Sequence, residues 1–266
     1  MTFVIALAVA LVLRRSAVVG LAVVALVLVP LERAVPLRRQ RVLRPGILTD
    51  VTHFLVTGLL VALAAVVAVV VVAIPLVPLR RLDLEGLLPG WASVGLAVAI
   101  VLVGTYWGHR LTHRVPSLWR FHSVHHSIEH MDWVAAARLH PVDAVFTQTF
   151  AVVPLVALGY QGGALAGVVA LVTALAIFQH ANVRLRFPVL RWVLPTPEWH
   201  HWHHATDPDA HDTNFGLPFV DRVFGTAFLP RGRRPEGFGV PDPVPTDDYL
   251  GQLRYPWAGG ALERTT

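Results

Sequence analysis

Two long uncharged stretches dominate the first half of the chain. Residues 51–79 form a run of 29 without Asp, Glu or Arg, and residues 86–108 form a second run of 23. A helix needs roughly 20 apolar residues to cross a bilayer, so both runs are predicted to cross. A shorter span is expected at residues 16–31, which Arg14 and Arg15 separate from the apolar residues before them.

A fourth apolar region extends from Ala144 to Val183, where His180 is the one side chain that can carry a charge. Pro154 and the sequence GYQGG at 159–163 interrupt it. Gly and Pro are the strongest breakers of regular structure, so the pattern predicts two short helices. We expect them to form a hairpin that enters and leaves the membrane on one face.

Composition supports an integral membrane protein. Hydrophobic residues make up 55% of the 266 residues and charged residues only 15%, far from the balance of a soluble domain. Cysteine is absent, which excludes disulfides, thiolate metal sites and a cysteine nucleophile. The net charge of +5 comes from arginine alone, without the interleaved aromatic and basic residues of a nucleic-acid motif. We therefore expect a membrane partner and no nucleic acid.

Arginine predicts the orientation of the spans. The loop at 32–50 is the richest in arginine, and positive loops favour the cytoplasm. Two crossings later the chain returns to that side near His109, and the hairpin returns it there again before Arg184. All histidine clusters should therefore lie on the cytoplasmic face. The loop arginines are Arg33, Arg38, Arg39, Arg41 and Arg44.

Histidines recur at helical spacing in three places. Residues at i, i+3 and i+4 share a helix face, so two or three rings of each cluster can converge. His201 is rotated by roughly 100° from His200 and is expected to face headgroups or solvent. The isolated His53, His130 and His211 are expected to be interfacial or capping residues. The clusters are His109 and His113; His122, His125 and His126; and His200, His203 and His204, with His180 contributed by the hairpin.

Nine clustered imidazoles indicate metal binding, because polar groups near a membrane are rare and usually functional. Imidazole suits iron, zinc, copper and nickel. Nine ligands are too many for one metal, and they fit two metals that have high coordination numbers and an open position. Two iron ions are the best fit, with zinc as an adventitious occupant.

The chain resembles the fatty acid hydroxylase and sterol desaturase superfamily of membrane non-haem di-iron oxygenases. The resemblance covers about Leu31 to Phe228 and depends on HRLTH, LWRFHSVHHS, MDWVAAARLHP, FQHANV, TPEWHHWHH and NFG…DRVFGT, in that order. It implies an all-α membrane bundle with a cytosolic histidine-rich helical cap that holds a dimetal site. It also implies O2-dependent hydroxylation or desaturation of a sterol-like, hopanoid, carotenoid or fatty acyl or alkyl lipid.

The resemblance also implies residue roles. The three clusters match the family's three histidine boxes, and His180 matches its isolated histidine. Ala176 stands where some members carry a further histidine, so His140 and Asn182 are candidates for a tenth ligand or for hydrogen bonding to a ligand. Four polar residues are predicted to hold the outer nitrogens of the imidazoles, namely Asp132, Asp143, Asn214 and Asp221. The alternative for Asn214 and Asp221 is a role as turn and helix-cap residues.

Three regions are predicted along the chain: a transmembrane region at 1–108, a histidine-box domain at 109–230 that includes the hairpin, and an irregular Pro/Gly-rich tail at 231–266. The chain has no flavin or nicotinamide fingerprint. A separate ferredoxin, cytochrome or reductase should therefore deliver electrons at the cytoplasmic face. Arg184, Arg186 and Arg191, beside Trp192, are expected to contact lipid headgroups, and the alternative is that they contact this acidic electron donor.

Two other classes remain open from the sequence. A zinc-dependent membrane hydrolase would use Glu129 or Glu198 beside a three-ligand site, although the surplus of histidines argues against it. A non-catalytic metal-binding membrane protein would show no turnover with O2. A b-type haem protein is disfavoured, because it would place single histidines on facing helices.

Overall fold

The described part of the chain is mostly helical. The computed structural model describes residues 22–60, 84–160, 162–185 and 190–258, together with residue 19. These residues form no β-strand. Much of the predicted run at 51–79 and much of the loop after it lie outside the described residues. The helices are α1 (22–34), α2 (Ile47–Leu60, with a π-helical turn at His53–Thr57), α3 (Leu84–Leu87), α4 (Gly90–Arg114), α5 (Pro116–His126), α6 (Pro141–Ala157), α7 (Gly162–His180), α8 (Pro197–His203), α9 (Pro218–Val223) and α10 (Tyr249–Arg254).

Helix α4 carries the predicted apolar run 86–108. It is 25 residues long, and among the described residues it is the one helix long and apolar enough to cross a membrane. It ends at Val115, whose extended backbone (φ −100°, ψ 113°) reflects the restriction that Pro116 places on the residue before it. Pro116 then begins α5, where the missing N–H costs nothing. The sharp junction folds α5 back onto the end of α4.

The predicted hairpin corresponds to α6 and α7, of 17 and 19 residues. The prediction that Pro154 breaks the region is wrong, because Pro154 lies inside α6. The chain turns only after Ala157, where Gly159 adopts a positive φ of 93°. Such a φ suits glycine, which has no Cβ to clash. One turn therefore separates the two helices.

Helices α4 and α6 approach each other closely through glycine. A Cβ placed on Gly104 would lie 2.1 Å from the carbonyl oxygen of Phe150, and one on Gly108 would lie 3.2 Å from the Phe150 Cβ. Two glycines four residues apart form the small-residue pattern that lets helices touch. On the same side, Ala97 and Val101 of α4 share a buried cluster with residues of α6 and α7. This packing fixes the helix that carries His109 and His113.

The C-terminal segment is only partly as predicted. Residues 231–248 are irregular, but α10 and a 3-10 helix at Tyr255–Trp257 follow. The Gln252 side chain is fully buried and lies 2.7 Å from His53 Nε2. His53 is thus buried inside α2 and does not lie at a helix end in the interface. Described residues of the tail, Phe238, Gln252 and Trp257, therefore contact the helices.

Four buried charges join the α1–α2 loop to the region after α5. Arg44 pairs with Asp132 at 2.6 Å and with Asp50 at 2.7 Å. Asp50 also pairs with Arg138 at 2.6 Å. Two positive and two negative groups balance, so each buried charge has an opposite partner, as burial requires. The network holds the loop and the segment around Arg138 in fixed relation.

Candidate metal centre

The structure brings all nine predicted histidines together in two adjoining groups. In each group the candidate ligand nitrogens lie within 4.8 Å of one another. All nine side chains are buried except that of His109, which is partly buried. The five-histidine group contains His109, His113, His122, His126 and His203, and the four-histidine group contains His125, His180, His200 and His204.

Helical phase divides each cluster between the groups. In α5, His122 and His126 are one turn apart and belong to the five-histidine group, whereas His125 points to the other group. At α8 the division is reversed, because His200 and His204 share the four-histidine group and His203 belongs to the five-histidine group. The i, i+4 pair therefore supplies one group and the i+3 residue supplies the other.

Oxygen acceptors hold three outer nitrogens of the five-histidine group, those of His109, His122 and His203. Nδ1 of His109 lies 2.7 Å from the Phe215 carbonyl oxygen, and Nδ1 of His203 lies 2.7 Å from that of Thr213. Nδ1 of His122 lies 3.0 Å from an Asp143 carboxylate oxygen. A carbonyl or carboxylate oxygen only accepts, so these Nδ1 atoms carry the proton. The lone pair of each ring is then on Nε2.

In the four-histidine group, two outer nitrogens are held in the same way, whereas Nδ1 of His204 is buried with no hydrogen-bond partner among the described residues. His125 Nδ1 donates to the Arg138 carbonyl oxygen at 3.0 Å, and His180 Nδ1 donates to that of Ala176 at 2.6 Å. Their Nε2 atoms lie 3.2 Å apart, and His200 Nε2 lies 3.1 Å from His180 Nε2. Metal-binding histidines usually donate their other ring N–H in this way, which fixes ring orientation.

The inner nitrogens fit a metal and do not fit one another. His109 Nε2 and His122 Nε2 are 3.0 Å apart, although both rings carry their proton on Nδ1. Two lone pairs facing at this distance repel unless a cation lies between them. In the same group, Nε2 of His113, His126 and His203 is buried with no hydrogen-bond partner among the described residues. Buried polar atoms are normally satisfied, so these five nitrogens suit a metal ion.

Burial keeps the imidazoles neutral. Desolvation lowers the pKa of His125, His126, His200 and His204 well below the usual histidine value. It lowers the pKa of His203 to about 3. Neutral imidazole is the form that binds a metal, so the ligands need no deprotonation at neutral pH.

Four residues were predicted to hydrogen-bond the outer nitrogens of the histidines. In the structure Asp143 does so, at His122, and the other three bond other groups. Asp132 pairs with Arg44 and accepts the Ala135 N–H. The Asn214 amide bonds the backbone of Trp199 and Phe228, and the Asp221 carboxylate accepts the N–H groups of Phe215 and Gly216. Asp221 thus acts one step away, because it holds the segment whose Phe215 carbonyl holds His109.

The candidates for a tenth ligand lie outside both groups. His140 caps α6, where its Nδ1 accepts the Val142 N–H at 3.2 Å and its Nε2 donates to the Leu253 carbonyl at 3.2 Å. Asn182 bonds the backbone of Arg38 through both amide atoms, Oδ1 at 2.8 Å and Nδ2 at 2.7 Å. These polar atoms are already committed, so the structure corrects both candidacies.

His201 is outside both groups, as predicted, but its surroundings are not those predicted. The side chain is 1% exposed, and its Nε2 lies 3.3 Å from the His180 carbonyl oxygen. The expectation that it faces headgroups or solvent is therefore wrong. Residues after Arg234 cover it, since its ring packs against Phe238 at 5.3 Å. His130 and the largely exposed His211 also lie outside both groups.

Sequence reasoning missed most of the acceptors on the outer nitrogens. Four are backbone carbonyls, which have no signature in the residue type. The fifth neighbour of an outer nitrogen is Asp212, whose carboxylate lies 3.3 Å from His113 Nδ1 in a charge contact without a hydrogen bond. Asp212 adopts a positive φ of 56°, tolerated better by Asp than by most residues. The sequence did offer one indication of Asp212, because it lies in HDTNFG, just before the family motif NFG…DRVFGT. The carbonyls belong to Arg138, Ala176, Thr213 and Phe215.

Comparison with known proteins gives a consistent set of relatives. Residues 94–226 match the family model described as Fatty acid hydroxylase. The chain is 31% identical over 168 residues to "Ornithine lipid hydroxylase OlsE" of Rhizobium tropici, covering 62% of this chain and 50% of that protein. It is 29% identical over 152 residues to "Alkylglycerol monooxygenase" of Xenopus tropicalis, covering 54% and 32%. The matched part thus spans half or less of these relatives. No solved structure matches.

Proposed function

Because this chain belongs to the fatty acid hydroxylase family, we propose that it is a membrane-bound di-iron oxygenase that hydroxylates a lipid with O2. Relatives named as an ornithine lipid hydroxylase and an alkylglycerol monooxygenase support hydroxylation in preference to desaturation. Sterol-like, hopanoid, carotenoid and fatty acyl or alkyl chains are all compatible substrates. The chemistry is an oxygen insertion into an unactivated C–H bond.

The observation that carries the proposal is the pair of all-histidine groups with inward lone pairs. Five nitrogens converge in one group and four in the other. Iron bound there would supply O2 activation. No described Asp or Glu shares either group. Glu129 and Glu198 are the carboxylates that a zinc hydrolase would use beside a three-ligand metal, and they belong to neither group.

The residues of the chain have definable tasks in this chemistry. The nine imidazoles would donate nitrogen to the metals, and the acceptors on Nδ1 of His109, His122, His125, His180 and His203 prevent those rings from rotating. Asp143 accepts the N–H of His122 and so raises the donor strength of that ring. Burial of the groups excludes water from the reacting centre, which limits side reactions of an activated oxidant.

The proposal includes the membrane arrangement. Residues 1–108 would form the transmembrane region, and residues 109–230 the histidine-box domain with the α6–α7 hairpin. Helix α4 is apolar, and only 22% of its most apolar 18-residue window is buried, which supports one crossing. The histidine groups lie at its C-terminal end, which the positive-inside pattern of the 32–50 loop assigns to the cytoplasm. Residues 231–258 would cover the cap.

Hydroxylation also needs two electrons that the chain does not supply. One oxygen atom of O2 enters the lipid and the other leaves as water, which consumes two electrons and two protons. We propose that a ferredoxin, cytochrome or reductase delivers them at the cytoplasmic face. The lipid would remain in the bilayer and present its chain to the metals from the membrane side.

The test is reconstitution of turnover. Protein purified anaerobically with ferrous iron, a chemical reductant and total lipid from the host should consume O2 and yield lipids heavier by one oxygen atom. Comparison with the lipids of a deletion strain would identify the substrate. The same preparation carrying His203→Ala should be inactive. O2-independent turnover, or activity with zinc alone, would contradict the oxygenase.

A further inference from the structure

The arginines near the α1–α2 loop are of two kinds. Arg44 belongs to the buried ionic network, and Arg38 donates to the carbonyls of Pro235 and Glu236. Arg33, Arg39 and Arg41 are exposed and make no hydrogen bond or ion pair within the described part of the chain. These three positive charges are close together in sequence, and no contact within the described residues neutralises them.

These three arginines line a cavity. Its volume is about 650 Å³, within the range of roughly 300–1,000 Å³ that ligand sites occupy. Part of its wall is apolar and comes from α1, α2 and the segment before the Ala135–Ala137 turn. The apolar lining includes Ala25, Val29, Ile47, Val51 and Val134. The cavity therefore has a positively charged side and an apolar side.

The acidic groups that line the cavity are already occupied. The Asp132 carboxylate accepts two hydrogen bonds from the Arg44 guanidinium, at 2.6 and 2.7 Å. Glu32 accepts the backbone N–H groups of Trp133 and Asn182, at 2.9 and 2.8 Å. Neither acid pairs with the three free arginines. The cavity consequently keeps a positive excess, which suits an anion.

We propose that this cavity binds an anionic phospholipid, with its phosphate on Arg33, Arg39 and Arg41 and an acyl chain along the apolar wall. No histidine of the metal centre lines the cavity, so the site is separate from the metal groups. The proposal therefore does not depend on the identity of the metal or of the oxidised substrate.

The surface around the cavity favours a lipid over free phosphate. Val42 lines the cavity and is 45% exposed, while Leu43 and Leu48 nearby in sequence are 81% and 79% exposed. Large apolar side chains next to arginines are typical of a surface that lies in the headgroup region of a membrane. Free phosphate would gain nothing from the apolar wall.

The test is lipid binding by purified full-length protein in a neutral detergent. Short-chain phosphatidylglycerol, short-chain phosphatidylcholine and inorganic phosphate are titrated separately, and bound ligand is counted by native mass spectrometry. The protein should prefer phosphatidylglycerol. Replacing Arg33, Arg39 and Arg41 together by Gln should weaken that binding at least about tenfold, since each arginine near an anionic surface contributes roughly fivefold.

A matched variant controls for total charge. Replacing Arg222, Arg231 and Arg254 by Gln removes three exposed arginines that do not line the cavity, and it should leave binding unchanged. A second, milder change is Val42→Asp, which adds a negative charge at the cavity and should weaken binding, whereas Val42→Asn should not. Melting temperatures of all variants report whether they fold.

Three results would overturn the site. They are undiminished phosphatidylglycerol binding by the folded Arg33, Arg39 and Arg41 variant, an equal loss in the control variant, and equal affinity for phosphatidylcholine. Inorganic phosphate that binds as tightly as the lipid would show a free-anion site and would also reject the proposal. Failure of lipid oxidation would leave these measurements untouched, because binding is read without turnover.

Discussion

The rings of His126 and His204 stack with their centroids 4.4 Å apart and their planes 21° from parallel. His126 comes from α5 and the five-histidine group, and His204 follows α8 and belongs to the four-histidine group. The two groups are therefore in direct contact through these rings, and metals bound in them would lie next to each other. Proximity of this kind is what a two-metal reaction with one O2 molecule requires.

The first prediction concerns metal content. Protein loaded anaerobically with iron should hold close to two metals per chain. His203→Ala should lose the metal of the five-histidine group and His125→Ala that of the four-histidine group, since each removes an inward nitrogen. Metal analysis by mass spectrometry measures both.

His130→Ala is the matched control, because His130 belongs to neither group. It should retain both metals. One tightly bound zinc that survives in all three variants would reject the di-iron proposal. Iron must be supplied during purification, because zinc generally outcompetes ferrous iron for such ligands and would otherwise occupy the site.

The second prediction separates His201 from its neighbour in α8. His200→Gln should abolish activity and release one metal, because an amide does not replace the inward imidazole nitrogen. His201→Gln should keep both metals and most activity, since glutamine can still donate to the His180 carbonyl. The loss of a well-fitted buried side chain should lower the free energy of unfolding by about 1 kcal/mol. Equal metal loss from both variants would make His201 a ligand.

The third prediction concerns the carboxylate behind His122. Asp143→Ala removes the acceptor of the His122 Nδ1 proton and should weaken metal binding by about 10–100-fold, the usual cost of losing such a partner. Competition with a chelator measures it. Asp209→Ala, on a side chain that is 67% exposed, should change nothing. Matching chelator curves for the two variants would dismiss the role of Asp143.

The fourth prediction tests the contact between α4 and α6. Gly104→Ala would place a Cβ 2.1 Å from the Phe150 carbonyl oxygen, so the helices must separate. We expect a loss of about 1–3 kcal/mol in the free energy of unfolding, as for other overpacked sites. Gly95→Ala lies on the same helix with nothing within 4 Å and should be neutral or slightly stabilising. Thermal unfolding of both variants in detergent decides the matter.

The fifth prediction concerns topology. Reporter fusions after Arg44, Ser127 and Gly232 should report the cytoplasm, and a fusion after Leu82 should report the opposite side. The reason is the arginine-rich loop at 32–50, together with two crossings before His109. If the fusion after Leu82 shares a side with that after Ser127, α4 does not cross and the orientation must be redrawn.

The sequence by itself determined which histidines form the clusters. Spacing of three and four residues places histidines on one helix face, whatever the helix packs against. The nine residues proposed from spacing and family resemblance are the nine that the two groups contain. The long apolar run that forms α4 could also be predicted from the sequence, because the length of a span depends only on local composition.

Only the tertiary structure decided how the nine histidines divide. His125 and His126 are adjacent in the chain, but they serve different groups because the His125 ring contacts His180 of α7 whereas the His126 ring contacts His113 of α4. The outer acceptors are mostly backbone carbonyls, whose positions depend on how loops pack and not on residue type. The exposure of His201 was predicted wrongly because it, too, depends on how distant segments pack. Helical phase excludes it from the groups, but the distant residue Phe238 determines that it is buried.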